Sequence, residues 1–265
     1  MPSIPRLATA GLIAALSATA FTAPAQAAAV GVVSVTSASK VQFKAATGQQ
    51  SRVVVLRSGN RITIWDEFAP LKAGKGCEAD ETDKRAVYCT TAETPERVTV
   101  WAYDQNDEIV NDSDVPTTVY GGTGDDRILG GTNRDRLSGQ AGNDDIDGGG
   151  GNDSIWGGAG TDTLNGRTGD DRLFGGSGGD SLYGSDGNDV LRGEKGADYL
   201  SGGNGNDRLV GGNGKDKLYG GAGDDRLNGK DSRRQVADLL DGGVNDSSGD
   251  LCNGTRLDER VNCEK

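Results

Sequence analysis

The chain has 265 residues, of which 44 are glycine and none is histidine, and its formal net charge is −12. This negative charge argues against nucleic acid or an anionic membrane as a partner. The lack of histidine excludes Ser-His-Asp and Cys-His nucleophiles, the HExxH zinc site and ordinary histidine acid–base catalysis. We therefore expect a protein that is not an enzyme. Catalysis by carboxylates alone stays open, with candidates in Asp66, Glu67, Asp104, Asp107 and Glu108, although turn formation explains these residues more simply.

Residues 1–27 have the composition of a secretory signal peptide. Arg6 precedes an Ala- and Leu-rich apolar run from Leu7 to Ala23, and Ala25-Gln26-Ala27 is a small-residue cleavage site. A transmembrane anchor is the weaker interpretation, because Gly11 interrupts the run and no other apolar stretch approaches the length that spans a bilayer. We expect a secreted, extracellular protein with no transmembrane segment.

Residues 28–118 are poor in glycine and rich in β-branched residues, which predicts a small β-rich module. Ser58-Gly59-Asn60 is expected to form a hairpin turn between two of its strands. The module is either an independent sandwich or a set of irregular coils that caps the region after it. Trp65, Trp101 and Tyr103 are expected in its core, with a platform for a sugar or another ligand as the alternative. The predicted strands are 30–36, 40–45, 52–57, 61–65 and 97–102.

From Gly121 to Asn228 the sequence is one nine-residue unit written twelve times without a change of register. Position 1 is Gly and position 6 is Asp in every copy, and position 8 is Leu or Ile. Position 4 is Gly except at Asn133, which we interpret as the usual substitute in a left-handed conformation. Position 2 is Gly in eight copies, and the others have Gln140, Arg167, Ser185 and Glu194.

The unit combines a glycine-rich turn at positions 1–5 with a short strand at positions 7–9. Glycine supplies turn angles that other residues resist, and the apolar residue at position 8 points inward. One unit buries almost nothing, whereas stacked units bury a continuous core. A flexible linker has no reason to keep Asp and Leu or Ile in fixed phase. The pattern therefore predicts a solenoid.

The invariant Asp column predicts a metal site. Stacking places carboxylates in rows beside turns with free carbonyl groups, and hard divalent cations bind several oxygens of both kinds. This set suits Ca²⁺ better than Mg²⁺, which retains its waters and needs a tight octahedron. Without a cation the stacked carboxylates repel one another, so we expect folding to be coupled to calcium. A solenoid that needs no metal is the alternative.

The unit fits the pattern G-G-x-G-x-D-x-U-x and so resembles the RTX, or haemolysin-type calcium-binding, nonapeptide repeat. The resemblance covers 108 of the 265 residues, from 121 to 228. It implies an all-β fold, a parallel β-roll with two units per turn, so that the twelve units make about six coils. It also implies several bound Ca²⁺ ions, each between the loops of units i and i+2, held by position-6 carboxylates and by carbonyls of positions 1–4. The first row of ligands is then Asp126, Asp144, Asp162, Asp180, Asp198 and Asp216, and the second row is Asp135, Asp153, Asp171, Asp189, Asp207 and Asp225.

The module before the repeats resembles the N-terminal segment of small secreted bacterial calcium-binding proteins that carry such repeats. The likeness lies in Gly74-Lys75-Gly76-Cys77, in Cys89 and in a strand before the repeats, and it implies no activity. Residues 105–109 match positions 4–8 of the unit, and Val119 falls at position 8. The roll is therefore expected to begin irregularly before its perfect register.

Residues 229–265 have the pattern of degenerate units and a C-terminal cap. Asp238 and Asp250 keep the spacing of positions 6–8, either as additional ligands or as ordinary surface carboxylates. Four cysteines in a chain with an export signal predict two disulfides. The coils would form a rod of roughly 29 Å between the two cysteine pairs, which excludes cross-pairing. We therefore expect Cys77–Cys89 and Cys252–Cys263, each closing one end of the solenoid.

The sequence thus predicts a signal peptide (1–27), a β-rich module (28–118), a calcium-binding β-roll (119–228) and a cap (229–265). The leading hypothesis is a secreted calcium-binding protein whose repeats fold outside the cell. The second is a calcium-dependent adhesin whose N-terminal module binds an extracellular glycan or protein. The third is a hydrolase or lyase that uses carboxylates.

Overall fold

A computed structural model of the chain describes residues 30–229, 237–244, 249–254 and 258–263. The predicted signal peptide, residues 1–27, lies outside these ranges. The described residues form 25 β-strands and no helix. In particular, no helix of the described chain is long and apolar enough to cross a membrane.

Along the described chain, ten strands begin before the regular repeats. They are β1 (Gly31–Ser37), β2 (Lys40–Lys44), β3 (Arg52–Ser58), β4 (Arg61–Asp66), β5 (Leu71–Ala73), β6 (Cys77–Ala79), β7 (Ala86–Thr90), β8 (Arg97–Asp104), β9 (Glu108–Asp112) and β10 (Thr117–Thr123). The repeats form β11 (Arg127–Leu129), β12 (Arg136–Ala141), β13 (Asp145–Asp147), β14 (Ser154–Ala159), β15 (Thr163–Thr168), β16 (Arg172–Ser177), β17 (Ser181–Asp186), β18 (Val190–Lys195), β19 (Tyr199–Asn204), β20 (Arg208–Asn213), β21 (Lys217–Ala222) and β22 (Arg226–Asn228). The last three strands are β23 (Leu239–Val244), β24 (Leu251–Asn253) and β25 (Glu259–Val261).

From β8 onward the strands alternate between two parallel sheets. The even-numbered strands β8 to β24 stack in order in a 12-stranded sheet, and the odd-numbered strands β9 to β25 stack in a 13-stranded sheet. Each strand therefore pairs with the strand two units away, as in Leu137↔Ile155 and Ile146↔Leu164. This is the predicted parallel β-roll, with two units in each turn.

The roll has about eight turns, so the prediction of six was too low. Degenerate units join the roll at both ends, and each has an inward apolar residue at position 8. Ile109 and Val119 supply that residue before the regular repeats, and Leu240 and Cys252 supply it after them. The roll thus begins irregularly before residue 121, as expected, and its parallel stacks reach back to β8 and β9.

The core of the roll is a single apolar residue per strand. The twelve position-8 side chains are 0–1% exposed, and they stack on one another within each sheet. They are Ile128, Leu137, Ile146, Ile155, Leu164, Leu173, Leu182, Leu191, Leu200, Leu209, Leu218 and Leu227.

The N-terminal strands extend the same two sheets. The hairpin β1–β2 joins the 12-stranded sheet through the parallel pair β2–β8, and the hairpin β3–β4 joins the other sheet through β3–β9. The five strands predicted in this region all form, and Gly59, with φ of 60°, lies in the predicted hairpin turn. The short strands β5 to β7 were not predicted.

Both predicted disulfides are confirmed. Cys77–Cys89 joins the antiparallel strands β6 and β7 at the N-terminal end, with Cα atoms 4.1 Å apart. Cys252–Cys263 links β24 to the residues after β25, with Cα atoms 5.7 Å apart. Each bridge thus closes a short loop at one end of the solenoid, as expected from the length of the rod between them.

Candidate metal centre

The twelve predicted aspartates stack in the two predicted rows, immediately before the strands. Those of the first row precede strands of the 13-stranded sheet, and those of the second row precede strands of the 12-stranded sheet. Within the repeats, the backbone N–H of each aspartate donates to Oδ1 of the next aspartate in its row, over 2.7–3.0 Å. All twelve side chains are at least 98% buried. The rows are therefore continuous, water-poor columns of carboxylates.

The second carboxylate oxygen of most of these residues has no hydrogen-bond partner. This holds for Oδ2 of Asp126, Asp144, Asp153, Asp162, Asp171, Asp180, Asp189, Asp198 and Asp207. A buried polar atom without a partner is costly, and a carboxylate oxygen more so. One such atom at nearly every coil indicates a ligand that the protein alone does not supply.

The position-1 glycines make room for this oxygen. A Cβ atom built on Gly157 would lie 2.3 Å from Oδ2 of Asp162 and 2.7 Å from the carbonyl oxygen of Gly175. The φ angle of Gly157 is not in the left-handed region. Position 1 therefore does not need glycine for its backbone conformation. It needs glycine because a Cβ atom would collide with the carboxylate of the aspartate at position 6.

At positions 2 and 4 the backbone conformation favours glycine. Gly158 and Gly160 have φ of 123° and 136°. A Cβ on Gly160 would lie 1.9 Å from the carbonyl oxygen of Gly142 in the preceding coil, so that oxygen points toward the next loop. The four substitutes at position 2 keep positive φ, at 84° for Gln140, 75° for Arg167, 83° for Ser185 and 76° for Glu194.

The loop at residues 130–135 is an exception. Neither Gly131 nor Asn133 has positive φ, so the left-handed interpretation of Asn133 was wrong. Asn133 instead donates its Nδ2 hydrogen to the carbonyl oxygen of Asp114 over 2.7 Å. In addition, the N–H of Gly131 donates to Oδ2 of Asp135 over 2.7 Å. Asp135 lies in the second row, but both of its carboxylate oxygens have protein partners.

Burial raises the pKa of the row aspartates from Asp126 to Asp207 above the ordinary range, because desolvation disfavours the carboxylate. A backbone hydrogen bond opposes this shift at each site, and neighbouring carboxylates mostly add to it. The pKa rises to about 6 at Asp126, Asp144, Asp162, Asp189 and Asp198, to about 7 at Asp171 and Asp207, and to about 8 at Asp153. A cation in the column would reverse this balance by favouring the charged form.

Three of the residues kept open for carboxylate catalysis have structural partners. Asp66 accepts the N–H groups of Arg52, Phe68 and Ala69 through Oδ1. Glu67 and Glu108 both form ion pairs with Arg52, at 2.7 and 2.8 Å. The other two, Asp104 and Asp107, belong to a loop that stacks on the first coil of the repeats.

The expectation that Trp65, Trp101 and Tyr103 lie in the core was wrong. Trp101 points outward at position 9 and stacks on Tyr120, with ring centroids 6.0 Å apart. Tyr103 is 39% exposed, and Trp65 lies on the outer side of its sheet beneath Arg85. In the strands of the roll the large apolar side chains that face the interior are those of position 8, and position 9 faces outward.

Among the described residues, no group of three or more His, Cys, Asp or Glu side chains is arranged to hold a metal. Carboxylates alone therefore do not complete a site here. Ca²⁺ accepts backbone carbonyls together with carboxylates, and the carbonyls of the glycine-rich loops lie beside the rows. The donor set is all oxygen and fits a calcium ion.

The comparison with known families favours a calcium-binding solenoid over a metal-free one. The family of RTX calcium-binding nonapeptide repeats matches residues 120–155, 138–173, 148–182, 165–200, 174–209 and 201–232. Residues 120–232 are RTX calcium-binding nonapeptide repeats. No curated protein matches the chain. The RTX repeats of this chain thus form a β-roll, and this supports calcium binding.

Beyond the RTX repeats both rows continue toward the C-terminus. The N–H of Asp216 donates to Oδ1 of Asp238, and that of Asp225 donates to Oδ1 of Asp250. Asp238 and Asp250 are at least 98% buried, so they are not ordinary surface carboxylates.

Proposed function

We propose that the chain is a secreted, non-enzymatic calcium-binding protein whose RTX repeats bind several Ca²⁺ ions and complete their folding outside the cell. The proposal depends on one observation. The RTX repeats contain columns of buried aspartates, and in most of these residues Oδ2 has no hydrogen-bond partner. Carboxylates in that state are unfavourable without a cation and favourable with one.

The proposed side-chain ligands are the twelve aspartates of the two rows, with Asp238 and Asp250 as their continuation. The remaining oxygens come from the carbonyls of positions 1–4 in the adjoining loops. Asp135 is the weakest member of the set, because its Oδ2 already accepts the N–H of Gly131. The glycines at position 1 keep each Oδ2 accessible to an ion between the coils.

Export fits this chemistry. Disulfides such as Cys77–Cys89 and Cys252–Cys263 persist in oxidising compartments. A repeat array whose carboxylates repel one another would stay unfolded where calcium is scarce, and it would fold where calcium is plentiful. The proposed signal peptide, residues 1–27, is tested by comparing export of the whole chain with export of a chain that begins at residue 28. Equal export of both would contradict it.

The proposed binding is tested by counting ions. Purified protein is dialysed against calcium-free buffer or against 1 mM CaCl₂ with excess MgCl₂ (roughly physiological extracellular levels), and bound calcium is measured by mass spectrometry. We expect several Ca²⁺ ions per chain in spite of the magnesium. Less than one ion per chain would contradict the proposal.

A second candidate function is adhesion through the N-terminal module, residues 28–118. Its support is the outward-facing Trp101, which stacks on Tyr120 and has Lys44 5.4 Å from its ring, and, separately, Phe68, which is 56% exposed. Stacked aromatic side chains with a polar rim are common in glycan and protein recognition. A glycan array probed with the whole protein and with Trp101→Ala tests this function. Identical signals from both proteins would remove its basis.

A further inference from the structure

The loop at residues 102–107 stacks on the first RTX loop, residues 121–126. Tyr103 pairs with Gly122, and Asp104 pairs with Thr123, in the register that the repeats use among themselves. The loop contains no glycine, so the RTX family match begins only at residue 120. Its backbone nevertheless follows that of the RTX loops at positions 2 and 4, with Ala102 in place of the position-1 glycine.

The backbone of this loop has the conformation of positions 2 and 4 of the repeat. Tyr103 and Gln105 have φ of 81° and 79°, and Gly122 and Gly124 above them have φ of 124° and 127°. Left-handed conformations of non-glycine residues are strained and concentrate at functional sites. The strain maintains a specific arrangement: Cβ atoms on Gly122 and Gly124 would lie 1.9 and 2.0 Å from the carbonyl oxygens of Tyr103 and Gln105.

Asp107 occupies position 6 and has the bonding pattern of the row. It is 3% exposed, and its N–H donates to Oδ1 of Asp126 over 2.8 Å. Its own Oδ1 accepts the N–H of Ser51 over 2.6 Å. Its Oδ2 is buried and has no hydrogen-bond partner. Accepting the Ser51 N–H requires only one carboxylate oxygen. That hydrogen bond therefore does not explain why a second, unpartnered oxygen is buried at this place.

The first row of carboxylates ends at this residue. Ser51 takes the next place along the column, where it is 0% exposed and has a hydroxyl instead of a carboxylate. The loop also joins the N-terminal module to the roll, because the N–H of Gly48 donates to Oδ1 of Asp104 over 2.6 Å.

We propose that Asp107 is the terminal calcium ligand of the first row, and that one Ca²⁺ ion binds between the loops 102–107 and 121–126. The ion is held by the Asp107 carboxylate and by backbone carbonyls of the two loops. The proposal rests on the proposed function of the repeats and extends it to a loop outside them. Calcium at this place ties residues 48–51 of the N-terminal module to the end of the roll.

The test counts Ca²⁺ ions per chain by isothermal titration calorimetry and by mass spectrometry after dialysis. Three variants of the whole protein are compared with the wild type: Asp107→Asn, Asp162→Asn within the regular repeats, and Asp104→Asn as the matched control. Asp104→Asn removes the same charge from the same loop, but its carboxylate contacts Gly48 and is not in the row. We expect Asp107→Asn to lose one ion, Asp162→Asn to lose at least one, and Asp104→Asn to bind as the wild type does.

The outcomes separate the two proposals. If Asp162→Asn loses calcium and Asp107→Asn does not, the terminal site is refuted and the function of the repeats stands. If Asp104→Asn also loses one ion, the charge of the loop and not Asp107 is responsible, which also refutes the site. If no variant changes the count, the proposed function fails as well. Should Asp107→Asn fail to fold, Asp107→Ser takes its place, because Ser51 shows that a serine fits this position of the column.

Discussion

Of the loops 102–107 and 130–135, the one whose sequence is closer to the RTX consensus has the less regular structure. Loop 130–135 has Gly at positions 1 and 2 and lies within the family match, yet it lacks positive φ and its Asp135 Oδ2 has a protein partner. Loop 102–107 has no glycine, yet it has the repeat backbone and an unpartnered Oδ2 at Asp107. A match to the consensus is therefore neither necessary nor sufficient for a loop to have the repeat backbone and an unpartnered Oδ2.

The neighbouring coil explains the difference. Loop 102–107 stacks directly against the regular loop 121–126. Loop 130–135 packs instead against residues 111–117, which form no repeat loop. There Asn133 bonds to Asp114, and a Cβ on Gly131 would lie 2.5 Å from the carbonyl oxygen of Ser113. The conformation of a repeat thus depends on the loop beneath it as well as on its own residues.

The largest expected effect is that of pH on the calcium-free roll as a whole. The pKa of Asp153 is raised to about 8 and that of Asp162 to about 6 in the folded state, against about 3.9 in an unfolded chain. Since the folded pKa values are higher, the electrostatic penalty is absent below pH about 4 and grows as pH rises through about 6 to 8. We expect the chelated protein to have more β signal in circular dichroism and a higher melting temperature at pH 5 than at pH 8.

At pH 5, carboxylates whose pKa is lowered by hydrogen bonds are still ionised, so they do not contribute to the expected difference between pH 5 and pH 8. Hydrogen bonds from Thr82 and Tyr88 hold the pKa of Asp80 well below its usual range, so that group stays ionised at pH 5. Its contribution to stability is lost only at lower pH. A calcium-free protein that is equally stable or less stable at pH 5 would contradict the role assigned to the buried rows.

A methyl group at position 1 is the next largest perturbation. Gly157→Ala would place a Cβ 2.3 Å from Oδ2 of Asp162, and we expect a loss of about 3 kcal/mol in unfolding free energy with calcium present. Gly179→Ala is the matched control, because its Cβ would approach nothing closer than 3.3 Å. Urea denaturation of both variants in calcium measures the difference. Equal losses would mean that the position-1 glycines do not serve the carboxylates.

Replacing single aspartates tests the comparison between loops directly. Asp162→Asn removes an Oδ2 that has no protein partner, whereas Asp135→Asn changes an Oδ2 that Gly131 already occupies. We expect Asp162→Asn to weaken calcium affinity at its site at least tenfold, and Asp135→Asn to change the measured affinities less than threefold. Calorimetric titration with Ca²⁺ distinguishes the two. A larger effect at Asp135 would show that hydrogen bonding of Oδ2 does not predict ligand strength.

The smallest expected effect concerns backbone strain. Gln140 is exposed at position 2 with φ of 84°, so Gln140→Gly should raise the unfolding free energy by about 1 kcal/mol. Asn133→Gly should bring no gain, because Asn133 does not have positive φ and its side chain bonds to Asp114. Thermal unfolding in saturating calcium measures both. Stabilisation by Asn133→Gly would mean that loop 130–135 adopts the regular conformation in solution.

Much of the roll was predictable because its period is strict. Asp at position 6 and an aliphatic residue at position 8 in twelve copies define the two sheets, the inward column of residues such as Leu173 and the two rows. The disulfides followed from the length of the rod between Cys89 and Cys252. These features depend only on spacing, which the sequence displays.

The remaining features depend on contacts between distant coils. The match of residues 105–109 to positions 4–8 places Asp107 at position 6, but its burial in the first row is seen only in the structure, where its N–H donates to Oδ1 of Asp126. The hydrogen bonding of the Asp135 carboxylate depends on the segment beneath it. The outward direction of Trp101 follows from its position 9, which the sequence does not display because the module before residue 121 lacks the regular period.

The most direct test of calcium-coupled folding is far-UV circular dichroism of the chelated chain, from residue 28 onward, titrated with CaCl₂ at pH 7.5. We predict a cooperative gain of β signal as the rows are filled, and no comparable gain with MgCl₂. A chelated chain that already has the full β signal, with no change on adding calcium, would contradict calcium-coupled folding. The repeats would then be a scaffold that is stable without metal, in spite of their buried carboxylates.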